Sequence, residues 1–451
     1  MQSVPTSLQS CAKSAGAAVV CASAAATLMA LPDSAQALDL DNEGGLVTET
    51  VASRERLKDY DNIKKYGAER VSDRDRNFAQ PDGIRAGNYV ILPSLDETLI
   101  YDDNIFRSDA NRVSDFRNEL TPEVHFQSHL PRHLLDFSLA GRIVSYVENS
   151  DQDYANLRAN LQSALHFDHA HTLSLSALSA IEHEERGELL TPLTAAEPVE
   201  LYHNRAALGL TRDVGRLYGT ISGSFERWDY TDTKSISGTM LDLDARDTDQ
   251  WVAQIKLGYR ISPGYELIAK VRGLRELNRG DEDFDRDAVG YEALAGVAFE
   301  TNPLLRWRLL GGYGVRDFDQ PNLDTVASAL IEGRMQWLPT QTVTVYADLS
   351  HEIVSANGPE DNGRLETALR GKVEYELYHN LLLTADLEIK EADFIGSERR
   401  DREYSGRIGL DYFPNKNLVL SIGYEHAIRD STEDVLDMTR NRIMVGAKLR
   451  Y

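Results

Sequence analysis

From about residue 90 to its last residue, this sequence alternates apolar and polar side chains with period two, in segments of roughly ten residues. Leu381, Leu383, Ala385, Leu387 and Ile389 interleave with Leu382, Thr384, Asp386, Glu388 and Lys390. Leu369, Gly371, Val373, Tyr375 and Leu377 interleave with Arg370, Lys372, Glu374 and Glu376. The same pattern runs through Trp251–Tyr259 around Lys256, and through Leu305–Tyr313 around Arg306 and Arg308. Successive side chains of a strand point to opposite faces, so each segment has one apolar and one charged face. Soluble strands average about five or six residues, and a soluble sheet of longer ones would leave half of these apolar stripes in water. A closed barrel in a bilayer solves both problems. It turns the stripes to lipid, the charges to an interior, and pairs every backbone group without a free edge.

Eight short turn signals separate alternate segments, at 130–132, 169–171, 213–215, 262–264, 302–303, 338–340, 379–380 and 413–415. Between them lie nine longer polar stretches, near 102–114, 148–153, 182–200, 229–249, 275–287, 316–324, 356–363, 391–403 and 429–440. Seventeen connections join eighteen strands, so the sequence predicts an all-β, antiparallel up-and-down transmembrane barrel of 16–18 strands over 86–451. The range of two strands comes from 87–101 and 198–211, where alternation is poor. An even number leaves both termini on the short-turn side, which in outer-membrane barrels is periplasmic. Aromatics near segment ends (Tyr101, Phe126, Phe167, Tyr202, Tyr259, Tyr313, Trp337, Tyr378, Tyr412) suit interfacial girdles or simple strand propensity.

Composition hides this architecture. A mean hydropathy of −0.40 and a net charge of −24 over 451 residues suggest an acidic soluble protein, because an average cannot see alternation. The acidity argues against a nucleic-acid partner. The nine loop windows together carry −24, so the charge forms an outer rim around a nearly balanced wall. Such a rim would repel polyanions and attract divalent cations. The inward positions carry both signs. Candidate lumen-lining residues are Arg158, Lys256, Arg272, Arg306, Arg308, Arg334, Glu366, Arg370, Lys372, Glu374, Asp386 and Glu388. They fit either a salt-bridged lumen that stiffens the barrel or a wet pathway that guides a polar solute.

The N-terminus reads as Lys13, an apolar small-residue stretch from Ala15 to Leu31, and Ala35-Gln36-Ala37. This is the layout of a secretory signal at 1–37, cleaved after Ala37. Both cysteines, Cys11 and Cys21, lie inside it, leaving no thiol chemistry for the mature chain. Residues 38–85 are polar, with eleven acids and nine bases. They form a periplasmic lead-in, with one amphipathic helix possible over 53–66, and too little apolar content for a core. The last strand carries Ile443, Val445, Ala447, Leu449 and Tyr451 on one face. Its terminal aromatic resembles the signal by which outer-membrane barrels engage the barrel assembly machinery.

Few motifs carry chemistry. His183-Glu184-Glu185-Arg186 lacks the second histidine of a zinc-protease helix. The acidic run 281–287 has Arg286 where an EF-hand loop needs glycine. No catalytic constellation, cofactor site or metal site is expected.

Gly83-Ile84-Arg85-Ala86-Gly87, Leu92-Pro93-Ser94-Leu95, Tyr101-Asp102-Asp103-Asn104-Ile105-Phe106 and Leu120-Thr121-Pro122-Glu123-Val124 occur in that order. This opening resembles that of the putative β-barrel porin type 2 family, specifically over about 83–130 and loosely to residue 451. The resemblance implies a barrel of the Gram-negative outer membrane, surrounded by lipid and lipopolysaccharide, that exports a surface exopolysaccharide. The partners so implied are the polysaccharide, which the acidic rim suggests is neutral or cationic, and periplasmic export components docked through 38–85. No catalytic or binding residues come with the family. Asp102, Asp103 and Asn104 suit a turn, since such side chains bond to their own backbone, or a gate or sugar contact. The alternatives are a general diffusion porin for small polar solutes, a barrel enzyme, or a structural barrel with a plugged lumen.

Overall fold

The computed structural model describes residues 70–451 apart from 72–73, 75–79, 129, 131, 189–190, 193, 281–285, 303, 322 and 355–362. The expected signal at 1–37, the helix at 53–66 and the acidic residues 281–285 lie outside the described residues. Strand β1 (Ile84–Ala86) forms a small hairpin with β2 (Tyr89–Asp102). The wall continues through β3 (Asp115–Ser128), β4 (His133–Tyr146), β5 (Tyr154–His166), β6 (His171–Glu184), β7 (Val199–Val214) and β8 (Leu217–Tyr230). The two-residue strands β9 (Thr233–Lys234) and β10 (Met240–Leu241) pair within one outer loop. The wall resumes with β11 (Thr248–Ser262), β12 (Tyr265–Asn278), β13 (Ala288–Asn302), β14 (Leu305–Phe318) and β15 (Val326–Thr340). It ends with β16 (Val343–Val354), β17 (Arg364–Tyr378), β18 (Leu381–Phe394), β19 (Arg400–Asn415), β20 (Leu418–Ser431) and β21 (Met438–Arg450).

Eighteen of these strands, of 12 to 16 residues each, pair antiparallel with their sequence neighbours, and β21 closes the ring on β2. Each expected turn and loop lies at or beside a reversal of the chain, but 338–340 and 413–415 form the ends of β15 and β19, which reverse at 341–342 and 416–417; the poorly alternating 87–101 and 198–211 both form wall strands. The seam has its own solution. Pairing between β2 and β21 starts at Ser94↔Arg450, just after Pro93, which has no N–H to give. The Pro93 carbonyl instead accepts from Tyr451 N at 3.1 Å. The overhanging start of β2 is covered by β1, turned by Gly87 at φ +62°. An edge that would otherwise template further pairing is thereby closed.

The period-two pattern sets which face meets what. Odd positions of β11 are lipid-facing: Trp251, Ile255, Leu257 and Tyr259 are exposed, whereas Gln254 and Lys256 are buried inside. A register slip of one residue would exchange these faces. Phe167, Tyr259, Trp337, Tyr378 and Tyr412 lie exposed near the short-turn ends, and Tyr202 and Tyr313 near the long-loop ends, as two interfacial girdles require. No helix of the described residues is long and apolar enough to cross a membrane; the strands do so.

Candidate functional site

Strand stagger tilts each cross-strand row relative to the barrel axis, and one row links the two ends. It runs Arg306, Gln336, Tyr346, Lys372, Asp386, Arg407, Glu425, Arg442 and Asp102 in successive register. Arg306 lies at the short-turn end of β14, and Asp102 at the outer end of β2. From Lys372 onward the signs alternate. Glu425 accepts from Arg407 Nε at 2.9 Å and from Arg442 Nε at 3.0 Å. A second row joins Arg308, Arg334, Asp348, Arg370 and Glu388. In it Arg334 reaches Asp348 at 3.1 Å and Arg370 reaches Glu388 at 2.8 Å.

The remaining lumen candidates are also inward and held. Arg272 reaches Glu292 at 3.0 Å, Arg306 reaches Glu300 at 2.9 Å, and Lys372 reaches Glu374 at 3.2 Å. Glu366 holds both Arg364 and Lys390 at 3.1 Å. Arg158 pairs with Glu182, and Lys256 is buried on β11. The structure therefore brings Arg306, Lys372 and Asp386 into one row and Arg308, Arg334, Arg370 and Glu388 into another. Arg158 sits apart, on β5.

At the outer mouth the loop after β6 folds inward, a feature the linear pattern did not reveal. Glu185 accepts from Arg117 Nη1 at 2.6 Å, Tyr154 Oη at 2.9 Å and Arg107 Nη2 at 3.0 Å, with Arg440 at 3.5 Å. Burial would push this carboxyl up, but Arg117, Arg107 and Arg440 outweigh it and hold it well below the usual range. Arg429, on β20, donates to the Gly187 carbonyl at 3.0 Å, so the loop reaches strands far around the ring. Gly187 has φ +74°, and a Cβ there would lie 2.3 Å from the Phe106 carbonyl oxygen. Arg186 stacks 4.1 Å over the Phe106 ring, and Arg107 is itself held at φ 51°.

The Tyr101–Asn104 motif anchors this knot. Tyr101 packs on Phe116 at 5.0 Å. Asp102, fully buried, accepts from Arg440 Nε at 2.9 Å and from Asn104 N at 3.0 Å. Asp103 accepts from Asn441 N at 2.6 Å, and Asn104 Nδ2 donates to the Thr439 carbonyl at 2.9 Å. These bonds tie the first outer loop to β21.

The opposite side of the mouth is hollow. A cavity of about 390 Å³ lies among the outer ends of β8, β11–β14, β16 and β17. Its lining includes Trp228, Val252, Arg272, Leu274, Glu276, Glu292, Arg316, Glu352, Ile353, Arg364 and Glu366. At the other end, part of the lead-in enters the barrel. Val71 is buried and donates from its N–H to Thr344 Oγ1 at 2.9 Å, while Arg74 Nη1 reaches Glu376 at 2.7 Å. Neither Glu185 nor Val71 carries a sequence signal, because each is defined by partners 31 to 273 residues away.

The sequence matches the family model described as Putative beta-barrel porin 2 over residues 59–451. No curated protein matches. Among solved structures, Pseudomonas aeruginosa OpdK with vanillate is similar at 13% identity and a TM-score of 0.44, covering 80% of this chain and 99% of that one. Acinetobacter baumannii OccAB4 is similar at 13% and 0.42, covering 80% and 98%. The siderophore receptor PirA from the same species is similar at 6% and 0.44, covering 80% of each. The expected export of a surface exopolysaccharide is corrected by the family match, which is described as a porin. Inside the wall, Lys270, Arg316, Thr344, Tyr346 and Lys372 are 0–6% exposed, whereas the Arg370 and Glu388 side chains remain 48% and 40% exposed. The mouth also holds a cavity of small-molecule size. Matched along its entire barrel, the chain is an outer-membrane β-barrel protein of a Gram-negative bacterium and belongs to the Putative beta-barrel porin 2 family.

Proposed function

We propose that this barrel is a diffusion porin for small polar solutes, which enter at the hollow side of the outer mouth and descend along the charged rows. The alternating row from Lys372 to Asp102 carries this reading. Paired charges of both signs lining a narrow way offer a dipolar solute successive partners without trapping it. Conduction requires that combination of entry and escape. No reaction is involved, and no cofactor is needed. Residues 1–37 serve as an export signal cleaved after Ala37, and β21 with Tyr451 is the segment offered to the assembly machinery.

Proteoliposome swelling with a graded series of sugars and amino acids, combined with planar-bilayer recording, tests the proposal. Swelling should fall steeply with solute size, and Lys372→Glu should move the reversal potential toward cation preference. A bilayer-silent protein that gives no swelling would overturn it.

A further inference from the structure

The outer cavity distributes its charges unevenly. Arg272, Arg316 and Arg364 of its lining, with Lys390 behind Glu366, match Glu276, Glu292, Glu352 and Glu366 in number but not in pairing. Three of the four carboxylates are engaged. Glu292 holds Arg272 at 3.0 Å, Glu276 faces Arg316 at 3.6 Å, and Glu366 takes Arg364 and Lys390. Glu352 makes no hydrogen bond or ion pair among the described residues, and it is exposed to the interior. Its register partner on β17 is Glu366. Like charges directly opposite on a sheet repel, so the position carries a standing cost that a cation would relieve. The remaining wall combines the apolar Val252, Leu274, Ile353, Val354 and the Trp228 indole with Thr248 and Gln250, whose amide is turned to Glu276 at 3.4 Å. That indole is already fixed by stacking on His203, with ring centroids 5.4 Å apart.

We infer that this cavity binds a small organic cation, an ammonium group on a compact apolar body, with Glu352 as counter-charge and Trp228 as the ring that faces the cation. An indole face attracts a cation within about 6 Å of its centre, and its edge and the aliphatic wall accept the apolar part. A hard divalent ion fits less well. It needs about six to eight oxygen ligands, while Glu366 is held by two cations and Trp228, Leu274 and Ile353 supply none. The volume, about 390 Å³, lies toward the lower end of the roughly 300–1,000 Å³ common for small-molecule sites. The inference names a solute class for the proposed porin, but binding can be measured without conduction.

Titration calorimetry of the detergent-solubilised full chain with phenethylammonium chloride tests it, with heat-modifiable gel mobility confirming the folded barrel. Wild type should bind saturably. Glu352→Gln should weaken binding at least tenfold, Trp228→Leu several-fold, and the exposed-loop control Glu433→Gln not at all. Unsaturable heat, equal affinity in Glu352→Gln, or uptake of Ca²⁺ with refusal of phenethylammonium would overturn the inference. Saturable binding by a protein silent in bilayers would instead refute the porin reading and leave the site standing.

Discussion

Replacing Glu185 by Gln should open the outer mouth. In the knot, Arg107, Arg117, Arg142 and Arg440 balance Asp102, Glu119, Glu185 and Glu188. The substitution removes one negative charge from beneath three guanidinium groups while nearly preserving shape. The Glu185 side chain is only 9% exposed, so solvent screens little of the loss. Breaking a buried charged network at one partner costs about 3–5 kcal/mol. The eighteen-strand ring does not depend on this loop, so the cost falls on the closed loop position. At about 1.4 kcal/mol per decade, the open population rises by roughly two to three and a half decades. Trypsin cleavage at Arg186 and Arg107 in proteoliposomes reports that population when reclosing is fast. Single-channel conductance should rise in parallel. A compensated pair, Glu185→Leu with Arg117→Met, should recover much of the protection, since apolar replacement of a buried pair is often neutral. Because the Glu185 carboxyl is held low, its contribution is present above the ordinary glutamate range and lost as pH falls through the lowered value. Wild type should therefore resemble Glu185→Gln only in strong acid. If Glu185→Gln resists trypsin and conducts as wild type does at neutral pH, the charge argument fails.

Gly187→Ala should loosen both inward loops by about 1–3 kcal/mol, because its Cβ would meet the Phe106 carbonyl oxygen at φ +74°; faster cleavage at Arg107 checks this. Burial pushes the Asp247 carboxyl up to about 6, against the Tyr230 N–H and Arg279 and with help from Asp229 and Asp244. Its contribution is complete below the ordinary aspartate range and lost as pH rises through about 6. Amide exchange in loop 231–247, corrected for intrinsic rates, should thus be faster at pH 7 than at pH 5, and Asp247→Asn should flatten the difference. Arg74→Glu should raise conductance by repelling Glu376, 2.7 Å from Arg74 in wild type, and the added Glu376→Arg change should restore it. Leu257→Arg should cost about 2–4 kcal/mol in urea unfolding from liposomes, whereas Lys256→Met, one residue away on the inner face, should cost far less than its neighbour.

The wall was legible in the sequence because its determinant is local. Alternation from Trp251 to Tyr259 fixes which side chains meet lipid whatever lies beyond the neighbouring strands, and the short turn signals mark the neighbourhood in which each strand reverses. Turn and loop parity then gave eighteen strands and placed the termini. The inward positions of Lys372, Asp386 and Arg370 followed from the same period. Their grouping into rows did not, since it depends on the stagger of strands that pair across the whole ring. Function was read less well. The resemblance carried an export role that the family description does not support. The most connected residue of the mouth, Glu185, was passed over inside a stretch that failed as a metal motif.

What the sequence alone determined is a closed, tilted ring with an apolar exterior, because lipid admits no unpaired backbone and no unpatterned strand. What only the tertiary structure decided is how that ring is filled. The inward fold of the loop after β6, the entry of Val71 and Arg74 from the short-turn side, and the placing of Glu352 opposite Glu366 with no partner among the described residues all depend on which distant parts of the chain meet. Burial and charge compensation at those contacts depend on three-dimensional proximity, which a period-two pattern does not encode.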